Sequence, residues 1–147
     1  MAQLELKIQK AVREWAERGR LRVVNRIQDV YLAGKALKRR TGTAARSVTS
    51  EVLPDGSGFR FGTTLGYLIA WENGIRAHQV VAKNAQVLRF KIGGTVLYRK
   101  RVFIPAQAAR PSFGPALDDE TPYLQKSAQK LVYEAILAGL PDRKIVI

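Results

Sequence analysis

The only histidine of the chain, His78, follows Glu72 by six residues in "AWENGIRAHQVVAKNAQVLRF", residues 70–90. A carboxylate that orients an imidazole is a common way to build a general base. Such a base needs a nucleophile to activate or a metal to share, and the chain has no cysteine and no second histidine. A spacing of six across Gly74 also fits no helical pair of metal ligands. The acidic run Asp118, Asp119 and Glu120 points in three directions on any regular element. It is expected at a helix start, where the helix dipole favours anions. The glycines of "GSG" and "IGG" fall in hairpin turns and cradle no phosphate. Catalysis is therefore not expected, and neither is a metal or another cofactor.

Positive charge is the louder signal. The net charge is +13, distributed unevenly. Residues 1–46 carry twelve Lys/Arg against four acids, residues 47–112 nine against three, and residues 113–147 four against five. A field of this sign favours nucleic acid or an acidic protein surface, without choosing between them. Two stretches concentrate it. "LKRRTGTAAR" (37–46) reads as an exposed loop in which Lys38, Arg39, Arg40 and Arg46 could touch phosphate without reading bases. "LYRKRVF" (97–103) sets Arg99, Lys100 and Arg101 beside aromatics, a composition suited to phosphate and unpaired bases. In a strand, Arg99 and Arg101 face one way and Lys100 the other, so a strand with core aromatics and solvated charges is the competing reading. No run of about 18 apolar residues is present, so no membrane span is expected. The N-terminus interleaves charges with apolar residues instead of forming a leader's apolar block. A protein assembled in a cytosol fits best.

One domain, 1–147, is expected to position these groups. Residues 3–40 read as a long helix. Leu4, Ile8, Ala11, Trp15, Gly19, Val23, Ile27, Val30, Gly34 and Leu37 recur in steps of three and four. A straight helix of that length spans about 55 Å at roughly 1.5 Å per residue, whereas a compact domain of this size is roughly 38 Å across. The helix must break, with "ERGR" (17–20) the natural place, or else overhang onto a neighbour. Its basic face is either a solvated surface or a binding face. Residues 47–53 and 59–64 form a hairpin about the turn "PDGSG", and 65–74 a short helix stopped by Gly74. "HQVVAKNAQ" (78–86) reads as a loop with a short extended piece. Residues 86–94 and 95–104 form a second hairpin about Gly93-Gly94, closed by Pro105. A turn-rich loop (105–115), a helix (116–140) and a tail (141–147), an added strand or an arm, complete the chain. The fold class is α+β: a long N-terminal helix, a small and mainly antiparallel sheet of two hairpins, and a C-terminal helix packed on the sheet.

Residues 63–117 carry a pattern in "YLIAWENGIRAH", "AKNAQVLRF" and "RKRVFIPAQAARPSFGPAL". It resembles the neck and tail-completion proteins that join head to tail in long-tailed double-stranded DNA bacteriophages. The resemblance rests on Glu72, Gly74 and His78; on Lys83, Ala85, Leu88 and Phe90; on Pro105; and on Pro111, Phe113, Pro115, Ala116 and Leu117. The lead-in "RRTGTAARSV" matches as well, so most of the chain is covered. The chain departs from the pattern at Ala82 and Ala106, where the family has proline and glycine, and by the extra Ser112 between Pro111 and Phe113. The resemblance implies a structural virion protein with no enzymatic activity. It would be a ring subunit, six copies to the ring, between head-closure or connector proteins and the tail terminator or tail tube. It would be assembled in the host cytoplasm, located in the virion neck and placed near duplex DNA. It also implies that Gly74 permits a turn a Cβ would obstruct and that His78 hydrogen-bonds loop backbone. A basic nucleic-acid-binding protein acting on duplex DNA is the alternative, with Lys38, Arg39, Arg40, Arg46, Arg99, Lys100 and Arg101 as its contacts, or as contacts to a protein partner.

Overall fold

The computed structural model describes residues 2–139. The expected α+β class is the one observed, with two long helices and three antiparallel strand pairs. Helix α1 (Ala2–Arg26) buries Ala16, Gly19 and Val23, small or β-branched residues in steps of three and four along one stripe. No break occurs at 17–20. Gly19 is a point of close approach. A Cβ there would lie 2.8 Å from both Leu124 and Phe59, so its missing side chain seats those two groups against the helix.

The change of course comes later. From Ile27 to Lys35 the helix continues in the wider π form, shown by the hydrogen bond from Ala36 N–H to Tyr31 O at 2.9 Å. Bonding to the fifth residue lets Ile27, Tyr31 and Leu32 all enter the core. Gly34, at φ +152°, ends the stretch. A short turn of helix, α2 (Thr43–Arg46), follows, tied back by Gln28 Nε2 donating to Ala45 O at 2.8 Å.

Strands β1 (Thr49–Val52) and β2 (Phe59–Gly62) form the first hairpin, in register from Thr49↔Gly62 to Val52↔Phe59. Phe59 and Phe61 face the body. Trp15–Phe59, Phe59–Phe61 and Phe61–Phe113 make a ladder with centroid spacings of 6.1, 6.2 and 6.2 Å, within the range of favourable aromatic pairs. Helix α3 (Gly66–Asn73) then buries Leu68, which is 1% exposed. Helix α4 (Phe113–Gly139) begins three residues before the expected start and presents Ala116, Glu120 and Leu124 as its buried stripe, four residues apart on one face. It lies along α1 and reaches the first hairpin through the Phe61–Phe113 stack. Val23, Ile27, Tyr31, Leu32, Val48, Leu68, Ala116 and Leu124 form one continuous core.

The second hairpin is longer than expected. Strands β4 (Leu88–Ile92) and β5 (Thr95–Arg99) pair about Gly93-Gly94 as foreseen. The expected strand 95–104 is divided at Lys100. Its second half, β6 (Arg101–Ile104), pairs with β3 (His78–Val81), from His78↔Ile104 to Val81↔Arg101. The short extended piece expected within 78–86 is therefore β3, one side of a ribbon, and residues 82–87 bulge opposite Lys100 alone. The ribbon 78–104 forms an arm, and no residue from 69 to 111 is buried. The expected strand or arm at 141–147 falls outside the described residues.

Candidate functional site

The signature residues divide between two places. The first is a junction at the base of the arm. Glu72, in the last turn of α3, accepts hydrogen bonds from the backbone N–H groups of Ser112 (2.7 Å), Phe113 (3.1 Å) and Gly114 (2.9 Å). These lie at the N-terminus of α4, where helix N–H groups have no partner within the helix. One carboxylate, remote in sequence, thus caps α4 and supplies the negative charge that its dipole favours. Ser112, which separates Pro111 from Phe113, is buried and donates the shortest of these bonds.

Gly74 completes the junction. It sits at φ +83°, and a Cβ there would lie 3.2 Å from Gln107 O and Ala109 N. This lets Ile75 and Gln107 exchange two backbone hydrogen bonds at 2.9 and 2.8 Å. Arg110 N–H donates to Trp71 O at 2.8 Å, and the Arg110 guanidinium lies over the Trp71 ring at 5.2 Å. Phe113 is held by its stack on Phe61, with Pro115 in the first turn of α4.

His78 is elsewhere. It opens β3, is exposed, and its Nδ1 lies 2.8 Å from Arg76 O, which assigns the proton to Nδ1. It shares no hydrogen bond with Glu72, so no carboxylate–imidazole pair is assembled. Lys83 is exposed in the 82–87 bulge. Leu88 and Phe90 share one face of β4, half-buried, and Pro105 follows the end of β6.

Asp118–Glu120 do not occupy the first turn of α4, because the helix starts at Phe113. The expected dipole role passes to Glu72, and two of the three acids join helices instead. Glu120 accepts from Arg22 at 2.8 Å and lies 3.9 Å from Arg26. Asp119 accepts from Arg26 at 3.2 Å and from the Tyr31 hydroxyl at 2.6 Å. The Tyr31 hydrogen bond, reinforced by Arg26, holds the Asp119 carboxyl below its ordinary pKa. The same bond, with burial, raises the Tyr31 phenol. Arg22 also lies over the Tyr123 ring at 3.7 Å. Two cations of the first helix, Arg22 and Arg26, are thus paired with α4. These hydrogen-bonded pairs could not be read from sequence, because they span 88 to 98 residues with no motif to mark them.

The other expected contact residues remain outward. Lys38, Arg39 and Arg40 line an open cleft with Leu32, Leu37, Tyr67, Trp71 and Arg110. Arg39 also donates to Gln28 O at 3.0 Å. Arg46 ends α2 and is exposed. Arg99, Lys100 and Arg101 are exposed along the arm, and Arg99 reaches only Tyr98 O, at 2.9 Å. Among the described residues, no cluster of three His, Cys, Asp or Glu could hold a metal, and no helix is long and apolar enough to cross a membrane. Compared with protein-family models, with curated proteins and with solved structures, the chain matches none.

Proposed function

We propose that the chain is a structural subunit of a bacteriophage neck, a ring component that joins the head connector to the tail and completes the DNA channel. One observation carries this reading. Glu72, Gly74 and Phe113, the best-marked residues of the signature, meet in one junction that fixes the entry of α4 and the base of the arm. A motif whose parts lie some forty residues apart in sequence is thereby explained as architecture. The same junction argues against chemistry at Glu72, whose oxygens are occupied by backbone donors. A subunit of a closed ring must offer two unlike surfaces to its neighbours, and the chain has them in the helical body and the projecting arm.

The test is assembly. Mass photometry of the purified chain, alone and with isolated head connectors, should reveal a discrete ring, with six copies expected. A chain that stays monomeric and also fails to add to connectors overturns the proposal.

A further inference from the structure

The arm carries charge in a form that the body does not. Residues 73–117 contain eight Lys/Arg and no Asp or Glu. Six of the eight lie on the ribbon itself: Lys83, Arg89, Lys91, Arg99, Lys100 and Arg101. Among the described residues none of these six takes part in an ion pair, whereas Lys10, Arg18, Arg20, Arg22, Arg26, Arg60 and Lys130 all do. Cross-strand register sorts the tip into two faces. Leu88, Phe90, Ile92, Thr95, Leu97 and Arg99 share one side, and Arg89, Lys91, Val96 and Tyr98 the other. Arg89 stands directly opposite Tyr98, which is 54% exposed. Lys100 follows at the bend.

We infer that this basic face of the arm binds duplex DNA through its phosphates. The charges have the sign that complements a polyanion, and no acid among the described residues competes for them. Their spacing also fits, because Arg89 and Lys91 are about 6.8 Å apart along the strand, far enough for each to meet a different phosphate of a duplex strand that carries one charge per about 3.4 Å of helix axis. The shape fits as well, since a two-stranded ribbon is an element that a major groove about 12 Å wide admits. Binding of this kind positions the protein on the duplex without reading sequence. The arm of another copy is a poor occupant of this face, because residues 73–117 of both would be basic and without an acid. The inference does not depend on ring formation and is tested on the unassembled chain.

The experiment is fluorescence anisotropy with a labelled random-sequence duplex of roughly two helical turns, titrated from about 50 to about 200 mM salt. Two triple variants are compared with the parent chain. Arg89→Gln/Lys91→Gln/Lys100→Gln removes three of the six cations of the arm, those of its basic face and bend. Lys10→Gln/Arg18→Gln/Lys126→Gln removes equal charge from exposed positions on the helices. All six residues are exposed, and far-UV circular dichroism checks that both variants fold. The arm variant should bind about tenfold or more weakly. Its log–log salt slope should fall by about two to three, at about 0.9 for each phosphate that is no longer neutralised. The helix variant should retain the slope of the parent. Equal weakening of both variants would show diffuse charge and overturn the inference, as would a parent chain that does not bind at the lowest salt. Polyglutamate of matched charge is the second probe. If it binds the arm as tightly as the duplex does, and the same variant abolishes that binding, the partner is an acidic protein and the inference fails.

Discussion

The helical body and the arm are made from similar residues put to opposite uses. In the body, arginines at positions 20, 22 and 26 meet Glu17, Glu120 and Asp119, and aliphatic residues such as Ile27 and Leu68 are fully covered. In the arm, no cation meets an acid among the described residues, and Phe103 and Ile92 are 66% and 61% exposed. A ribbon of two strands has no second layer to bury a face, so its apolar and basic side chains remain available. The body therefore holds the fold, and the arm adds surface to it. Stability should accordingly concentrate on one side of the Glu72 junction.

The largest effect should come from the centre of the body. Ile27→Ala empties a position with no exposure and should cost about 2–5 kcal/mol in urea unfolding. A loss below about 1 kcal/mol would mean that the π-helical segment is not part of the cooperative core. At the junction, Glu72→Ala leaves three N–H groups of α4 without their acceptor, and a loss of about 2 kcal/mol is expected. An unchanged unfolding midpoint would break the assignment of Glu72 as a cap. Gly74→Ala, which places a Cβ against backbone at φ +83°, should cost about 1–3 kcal/mol by the same measurement.

A pH series sharpens the comparison further. The Asp119 pKa lies below its unfolded value, so its contribution is complete above the ordinary carboxylate range, about pH 4. It is lost as pH falls through the folded value. Asp119→Asn should destabilise the chain near neutral pH and flatten the acid limb of the stability profile. A parallel downward shift with an unchanged acid limb would rule out this carboxylate as the source. The smallest effect belongs to the arm. Ile92→Ser should change global stability by no more than about 0.5 kcal/mol, and a larger change would show that the arm packs on the body.

Local chemistry made much of this legible in advance. Steps of three and four marked α1 as far as Val23, Gly93-Gly94 marked the β4–β5 turn, and Gly74 marked the stop of α3. The misreadings came where partners were distant. The stretch 95–104 resembles a single strand until β3 pairs with its second half. Gly19 resembles a helix breaker until Leu124 and Phe59 fill the space its missing side chain leaves. For the site, the residues of the signature were visible, but their roles were not. Glu72 beside His78 suggested a pair, because sequence proximity alone cannot show that one faces the N-terminus of α4 and the other its own loop.

Composition, charge and apolar period by themselves determined an α+β chain with an excess of positive charge, a single histidine and no cysteine, since these follow from residue types and near neighbours. Only tertiary structure decided which cations are neutralised, which carboxylate caps which helix, and which ribbon stands free. Those outcomes depend on contacts between residues forty to a hundred positions apart, and such contacts exist only once the helices have packed.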